Sequence, residues 1–393
     1  MRGTIIKRSE NSYRIKVSLG KDLTTGKYKA YFETVKGTKA DSQRRLRELL
    51  TQLDKGIFIK PTKETLANYL NSWLKDYAKP NCAPRTFESY DMIVKLHLIP
   101  ALGSIPLLSL QPQDIQKYYA KALDSGRRDG RGGLSALTVR KHHRVLFEAL
   151  RYGVKHEMIA RNVAEAVDPP RAQVKEMQIW NAHEIERFLE KAKSTPYYAL
   201  FHLNLFSGLR RSEILGLKWA DIDFMFGQLS VNRALHQLKD GSYVFRAPKT
   251  AKGKRKVSLT PLSLEVMQEY YEEQNQLHDT LGIPFPDERL VFCHVEDGKP
   301  LRPNTITRAW TSIGEKAGLK HIRLHDCRHS HASLLLKQGV HPKIVSERLG
   351  HSSVQITLDT YSHVTPGLQA AAAKGFDEAF TSGYNDRRVP EVV

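Results

Sequence analysis

Residues 349–364 read L-G-H-S-S-V-Q-I-T-L-D-T-Y-S-H-V and place Tyr361 ten residues after His351. A phenol is a poor nucleophile at its ordinary pKa of ~10, so a reactive tyrosine needs nearby groups that stabilise the phenolate. By itself the pattern also fits a tyrosine packed at the end of a helix. The rest of the chain must therefore be searched for positive charge that could surround this side chain.

Two upstream stretches supply such groups. In S-G-L-R-R-S-E, Arg210 follows a glycine-leucine pair, and Glu213 lies three residues later, where it could orient the guanidinium. In L-H-D-C-R-H, His325 and Arg328 are spaced i, i+3 and would project from one helix face toward two oxygens of a phosphate. Together with His351 and Tyr361, these side chains predict a phosphate-binding pocket that contains a phenolic nucleophile.

A third basic stretch, A-P-K-T-A-K-G-K-R-K, contains Lys249 between two predicted strands. A lysine on such a hairpin turn could enter a DNA groove and donate a proton, which makes Lys249 a candidate catalytic residue. The stretch lacks the G-x-x-x-x-G-K-[ST] pattern of a Walker loop. The other basic side chains here are predicted to make nonspecific phosphate contacts: Lys252, Lys254, Arg255 and Lys256.

His329 and His331 raise the alternative of a metal site. No carboxylate or cysteine set with the usual ligand spacing accompanies them, so we predict neither a metal nor another cofactor.

The bulk properties of the chain indicate a polyanionic partner. Its 393 residues carry a net charge of +19, and 40% of them are hydrophobic, which supports sizeable cores. A ribosomal or RNA-binding protein rarely needs such length and apolar periodicity. No apolar run approaches the ~20 residues of a membrane span, and no signal-peptide core is present. Three unpaired cysteines, without a CxxC, favour the reducing cytoplasm, with no disulfide frame and no zinc knuckle.

We predict a multidomain protein with three parts, 1–58, 61–170 and 175–393. The first 60 residues carry fifteen Lys and Arg against six Asp and Glu, a net charge of +9. Three β-rich runs and a polar helix predict a small sheet backed by one helix. We expect one sheet face to contact DNA, with its basic and aromatic side chains Tyr13, Arg14, Lys16, Lys27, Lys29 and Tyr31.

The middle part is predicted to be all-helical, with a loop from Leu98 to Leu107. Its aromatic stripes are expected to be core, and the cluster 140–144 (Arg140, Lys141, His142, His143 and Arg144) is expected to face phosphate. After the Pro169-Pro170 linker we expect a mixed α+β domain, with Asn181 capping its first helix. A final helix is predicted from near Pro366 to about Phe380, and the last dozen residues are predicted to be disordered.

The ordered motifs S-G-L-R-R-S-E-I, P-K-T, L-H-D-C-R-H-S, L-G-H and T-x-x-x-Y resemble the tyrosine recombinase family over residues 175–364. The helical part resembles the family's core-type DNA-binding domain. The basic N-terminus resembles the arm-type domain of phage and conjugative-transposon integrases. One departure is Ser207, which stands where the family often has threonine.

The resemblance implies that Tyr361 is the nucleophile, assisted by Arg210, Lys249, His325, Arg328 and His351. It implies a site-specific recombinase that integrates or excises a mobile element through a 3′-phosphotyrosyl intermediate, without ATP or metal. The implied partners are double-stranded core and arm attachment sites, three further protomers in a tetramer, an excision factor and a host DNA-bending protein. Action at the bacterial nucleoid is expected. Two alternatives stay open, a type IB topoisomerase and a non-catalytic DNA-binding regulator.

Overall fold

A computed structural model describes residues 3–21, 26–54, 63–172, 177–248, 251–286 and 288–361, together with 373, 376–378 and 380. The chain divides into two compact units, 1–174 and 175–393. The first unit contains two separate hydrophobic cores, one in its N-terminal 54 residues and one in the helices that follow. The predicted division into three domains agrees with these cores but remains a proposal.

The N-terminal part is the predicted sheet with one helix. Its antiparallel strands are β1 (Gly3–Ser9), β2 (Ser12–Lys21) and β3 (Tyr28–Lys36), in the order β1-β2-β3, followed by α1 (Lys39–Asp54). Ile15 and Val17 point from the central strand toward α1 and form a core with Leu49. Because side chains alternate across a strand, Arg14 and Lys16 lie on the opposite, outward face.

The structure corrects the predicted composition of this basic face. Tyr31 is paired with Val17 across β2 and β3 and packs on the helix side, and Tyr13 is paired with Val35 on that same side. Aromatic side chains on the outward face include Phe32, with the Arg14 guanidinium 4.5 Å from its ring centroid, and Tyr28, with Lys21 Nζ 5.3 Å from its ring centroid.

The prediction was wrong for Tyr13 because residues 13 and 14 cannot share a face of one strand, and for Tyr31 because it is paired with the inward-facing Val17. Lys27 and Lys29 are exposed at the start of β3.

The middle part is helical, as predicted. Its helices are α2 (Leu66–Trp73), α3 (Lys79–Asn81), α4 (Pro84–Ile93), α5 (Ile99–Leu102), α6 (Pro112–Ser125) and α7 (Ala136–Lys155). The expected aromatic core is present, since Tyr69 and Trp73 are almost completely buried. The predicted loop after Leu98 is wrong for its first residues, which form α5.

Two π turns explain that error. The π turns Leu74–Ala78 and Val94–Leu98 each end two residues before a proline, Pro80 or Pro100. A proline lacks an N–H and its ring crowds the preceding turn, so it normally breaks a helix. The wider i→i+5 turn accommodates both effects, and the helix continues through a residue that indicates a break.

The basic front of α7 is divided between two faces. Arg140, Lys141 and Arg144 are exposed, as expected. His142 is buried, with its Nδ1 2.7 Å from the Tyr118 hydroxyl, and His143 makes the equivalent contact with Tyr119 at 2.7 Å. The prediction that His142 belongs to the phosphate-facing cluster is therefore wrong, and His143 is half-buried. Positions 139, 142 and 146 share the inward face of the helix.

The second unit is the predicted mixed α+β domain. Its helices are α8 (Ala182–Ala192), α9 (Tyr198–Ser207), α10 (Arg211–Ile214), α11 (Pro261–Leu281), α12 (Pro303–Lys316), α13 (Cys327–Lys337), α14 (Pro342–Leu349) and α15 (Val354–Tyr361). Asn181 caps α8 as expected, accepting from the Glu184 backbone N–H at 2.9 Å. The core is built around stacked aromatic rings, with the Trp180 and Trp310 centroids 4.8 Å apart.

The strands of this unit form two small sheets. β4 (Ile222–Asp223), β5 (Gln228–Val231) and β8 (Arg255–Ser258) form one, whereas β6 (Ala234–Gln237) and β7 (Tyr243–Arg246) form the other. The strands that flank Lys249 were predicted to enclose a hairpin, but β7 pairs with β6 and β8 pairs with β5. The hairpin prediction is wrong because β7 already forms a hairpin with the preceding strand β6, and β8 pairs with the more distant β5.

The predicted C-terminal helix lies mostly outside the described residues, although 373, 376–378 and 380 are helical. The last dozen residues, predicted to be disordered, also lie outside them. In the described part of the chain, no helix is both long and apolar enough to cross a membrane.

Candidate active site

A cleft of about 540 Å³ in the second unit brings together side chains from its distant motifs. Five of the six predicted catalytic residues line it: Arg210, His325, Arg328, His351 and Tyr361. The sixth, Lys249, lies outside the described residues. Its neighbours Pro248 and Gly253 line the same cleft. The stretches recognised separately along the chain therefore converge on one surface.

Arg210 is positioned by a sharp chain reversal. α9 is followed by Gly208, whose φ of +66° belongs to the left-handed region, and a Cβ there would lie 2.7 Å from the His331 ring. The chain then turns, and Arg210 directly precedes α10. Glu213 accepts from the Arg210 backbone N–H at 2.9 Å and from its Nη1 at 2.6 Å, which is the orienting contact expected from their spacing.

Arg255 was not expected in this network. Its Nη2 lies 3.0 Å from Glu213 Oε2, and its Nε donates to the Arg348 carbonyl at 2.6 Å. Burial of Glu213 favours protonation, but the hydrogen bond and charge of Arg255, with the charge of Arg210, hold the pKa of this carboxyl below its usual value.

The prediction that Arg255 contacts DNA phosphate is wrong. The alternation of β8 could have shown this, since Arg255 shares the inward face with buried Val257.

Arg328 is fixed by the ends of two helices. Its Nη1 donates to the Gly208 carbonyl at 2.9 Å and its Nη2 to the Leu349 carbonyl at 2.5 Å. Carbonyls at helix C-termini carry partial negative charge and suit a guanidinium. Burial, followed by repulsion from Arg210, lowers the pKa of Arg328 to about 9.

His325 and His351 present uncharged imidazoles to the cleft. Burial and then the charge of Arg328 lower the pKa of both, that of His351 to about 4. His351 follows Gly350, whose φ is +68°, and its Nδ1 lies 2.9 Å from the Thr357 hydroxyl. At neutral pH both rings therefore act as hydrogen-bonding groups without adding charge.

Tyr361 ends α15 with its side chain only 1% exposed, and its hydroxyl lies 2.7 Å from His329 Nδ1. Burial raises the pKa of Tyr361 to about 12, although the nearby Arg328 opposes the shift. His329 lines the cleft and was missed as a site residue. Its position directly after Arg328 gives no sequence signal that it faces the tyrosine.

Two of the other predicted basic residues belong to the segment after Pro248, near the cleft rim. Lys252 and Lys254 are exposed, and Lys252 Nζ donates to the Ser352 carbonyl at 3.1 Å, next to His351. His331 has a structural role, because it is buried and accepts from Arg348 Nε at 3.0 Å. Among the described residues, no three His, Cys, Asp or Glu side chains are grouped as they would be in a metal site.

Comparisons with known proteins agree with this architecture. Residues 178–367 match the family model of the phage integrase family, and 65–123 match that of the phage integrase N-terminal SAM-like domain. A XerC-like tyrosine recombinase of Caldanaerobacter subterraneus is 26% identical over 95% of this chain and 98% of its own length. The ICEBs1 integrase of Bacillus subtilis is 25% identical over 95% of this chain and 99% of its own length.

Solved structures share the fold. The Tn1549 transposon integrase, solved with a circular intermediate DNA, has a TM-score of 0.66 at 20% identity and covers 80% of this chain and 99% of its own. A lambda integrase dimer bound to a core site has a TM-score of 0.56 at 19% identity, covering 91% and 93%.

The fold and the arginine–histidine–tyrosine cleft define an enzyme class that breaks and rejoins DNA strands. The chain belongs to the phage integrase family of tyrosine recombinases, of the type carried by phages and integrative conjugative elements.

Proposed function

We propose that this protein is the integrase of a mobile element and cuts and rejoins DNA at specific attachment sites through a 3′-phosphotyrosyl intermediate. The observation that carries the proposal is the position of the Tyr361 hydroxyl in a cleft that also contains the buried guanidinium of Arg328 and the half-exposed one of Arg210. Attack by a phenol on a phosphodiester needs this arrangement, because negative charge develops on the phosphoryl oxygens.

Each cleft residue then has a role. Tyr361 attacks the scissile phosphorus and becomes joined to the 3′ end. Arg210 and Arg328 bind the nonbridging oxygens, and His325 and His351 donate hydrogen bonds to them. Lys249 donates a proton to the leaving 5′-oxygen. A partner strand's 5′-hydroxyl reverses these steps, and the covalent link conserves the phosphodiester energy.

The DNA contacts outside the cleft follow from the exposed basic residues. The outward face of the N-terminal sheet, with Arg14 and Lys16, together with the exposed Lys27 and Lys29 at the start of β3, is the surface we assign to arm sites. Arg140, Lys141 and Arg144 on α7, and Lys252 and Lys254 at the cleft rim, are assigned to phosphates of the core site. We further propose a tetramer on two duplexes in the bacterial nucleoid, with an excision factor and a host DNA-bending protein as accessory partners.

The nucleophile can be tested on a nicked duplex that contains the element's own crossover core. After cleavage, the short fragment that carries the free 5′-hydroxyl dissociates from this duplex. Wild-type protein should form a covalent adduct, whereas Tyr361→Phe should form none and bind the duplex with nearly unchanged affinity. Adducts formed by the Phe variant would refute the assignment. A wild-type protein that binds but never forms adducts would favour the regulator alternative. Supercoil relaxation by monomers without recombination would favour the topoisomerase.

A further inference from the structure

We propose that His329 is a further catalytic residue, the base that takes the phenolic proton of Tyr361 during attack. The proposal rests on the assignment of Tyr361 as nucleophile. It starts from the 2.7 Å contact between the Tyr361 hydroxyl and His329 Nδ1. Among the described residues, no other hydrogen-bond partner of this hydroxyl is found, and the side chain is only 1% exposed.

That isolation gives the contact a direction. A buried hydroxyl places its hydrogen on an available acceptor, and His329 Nδ1 is the one within reach. The imidazole then carries its own hydrogen on Nε2, and a lone pair of the phenol oxygen is left for the phosphorus. The rings are also in contact, with centroids 5.7 Å apart, so the geometry is held by packing as well as by the hydrogen bond.

The other imidazoles of the cleft are less suited to this task. His351 Nδ1 is engaged by the Thr357 hydroxyl at 2.9 Å, and the His325 ring packs edge-on against His329 with centroids 5.5 Å apart. Neither has a hydrogen bond to Tyr361 among the described residues. His325 and His351 therefore remain available to the phosphate, while His329 serves the nucleophile.

The proton balance closes within the proposed mechanism. As the bond from the phenol oxygen to phosphorus forms, its proton passes to His329 Nδ1. The bond from phosphorus to the 5′-oxygen breaks, and that oxygen takes a proton from the general acid, to which we assigned Lys249. In the reverse step the His329 imidazolium returns its proton to the departing phenolate. No oxidant, metal or water is consumed.

The surroundings set how strongly His329 holds that proton. Burial lowers the pKa of His329 to about 4, so the ring is unprotonated throughout the neutral range. The ionisable groups that face it are His325, Asp326, Arg328, Arg323, His351 and Tyr361. Asp326 favours the imidazolium, whereas the two arginines disfavour it and so promote return of the proton in the reverse step.

The test is the single-turnover rate of adduct formation on the nicked duplex between pH 6 and 9. For wild type we expect a rate that varies little with pH. For His329→Ala we expect a rate at least about 100-fold lower at pH 7, the usual contribution of a general base. That rate should rise about tenfold per pH unit, because attack then depends on the phenolate fraction. Added imidazole should restore part of the loss.

Two variants complete the design. His329→Gln keeps a hydrogen-bond acceptor but not a base, so it should stay slow and respond little to imidazole. His321→Ala removes an exposed histidine outside the cleft and should match wild type under all conditions.

A His329→Ala rate within threefold of wild type would overturn the proposal. So would a loss that is equal at every pH and unaffected by imidazole, which would indicate a packing role. Adducts with Tyr361→Phe would instead refute the underlying nucleophile assignment.

Discussion

Arg255 and Glu213 form a buried ion pair behind Arg210, with side chains only 6% and 4% exposed. Glu213 also holds Arg210, and Arg255 also holds the carbonyl of Arg348 near the end of α14, two residues before Gly350. The pair therefore connects the turn after α9, strand β8 and the turn that carries His351. A displacement of this pair would move both an arginine and a histidine of the cleft.

Substitution of Arg255 tests that connection. Arg255→Ala leaves the buried Glu213 with Arg210 as its remaining partner and removes the hydrogen bonds of Arg255, so we expect a loss of about 1–3 kcal/mol in the free energy of unfolding. Arg255→Lys keeps the charge but loses the forked contact, so a smaller stability loss and about tenfold slower adduct formation are expected.

Urea denaturation and the nicked-duplex assay give both quantities. Lys256→Ala, on the exposed face of β8, is the control and should change stability by less than about 0.5 kcal/mol. If Arg255→Ala unfolds like this control, the pair is not structural.

The site residues differ in how far they were predictable. Five site residues were predictable because they occur in motifs whose residue types indicate phosphate chemistry. All five line the cleft: Arg210, His325, Arg328, His351 and Tyr361. Arg255 was hidden in a run of basic residues that resembles a solvated surface, although the period of β8 places it inward. His329 could not be identified because its contact with Tyr361 joins α13 to α15, and the fold alone creates it.

At the scale of elements, periodic segments were predictable and pairings were not. In the second unit α8 was predictable, because the Asn181 cap marks its start and its buried residues recur at helical spacing. The two sheets were not predictable, because β8 pairs with β5 across about two dozen intervening residues while a nearer strand lies beside it in sequence. Likewise, Pro100 indicates a helix end. The π turn that allows the helix to continue has no recognisable pattern in the sequence.

The contact between α6 and α7 predicts a pH-dependent stability. Burial, and then repulsion by His97, lower the pKa of His142 to about 4 from its ordinary 6.5. The folded state therefore favours the neutral ring. The contribution of the neutral His142 ring to the free energy of unfolding is complete above pH 6.5 and declines as the pH falls toward 4. At pH 5 the free energy of unfolding is lower by on the order of 2 kcal/mol.

Hydrogen exchange of α6 and α7, corrected for intrinsic rates, should show protection that weakens from pH 7 to pH 5 in wild type and much less in His142→Gln. His156→Gln, at the exposed end of α7, should behave like wild type. If all three proteins respond alike, His142 is not the titrating group.

At the scale of the whole molecule, the charge is unevenly distributed, with +9 of the net +19 in the first 60 residues. A protein that begins at Pro61 would keep the helical part and the complete cleft. We expect it to bind core DNA and form adducts, but to lose binding to distal arm sites and most recombination between full attachment sites. Footprinting checks this, and identical protected stretches for both proteins would contradict an arm-binding role.

Salt adds a second measurement to that comparison. Binding of the full chain to arm DNA should weaken steeply with salt, because each neutralised phosphate releases condensed counterions. The outward sheet face contains Arg14 and Lys16, so the double alanine variant should reduce the salt slope by about two. An unchanged slope would place the arm contacts elsewhere.

The charge of the cleft has a further consequence for how long the enzyme survives. Arg210 and Arg328 face the cleft with Arg255 and Arg348 behind them, and Glu213 is the only carboxylate among the described residues that line it. Like charges held together without counter-ions weaken a folded state, and a ligand that binds only that state strengthens it. We therefore expect the DNA-free protein to be inactivated sooner by heat and proteolysis, whereas the protein bound to its attachment site resists both.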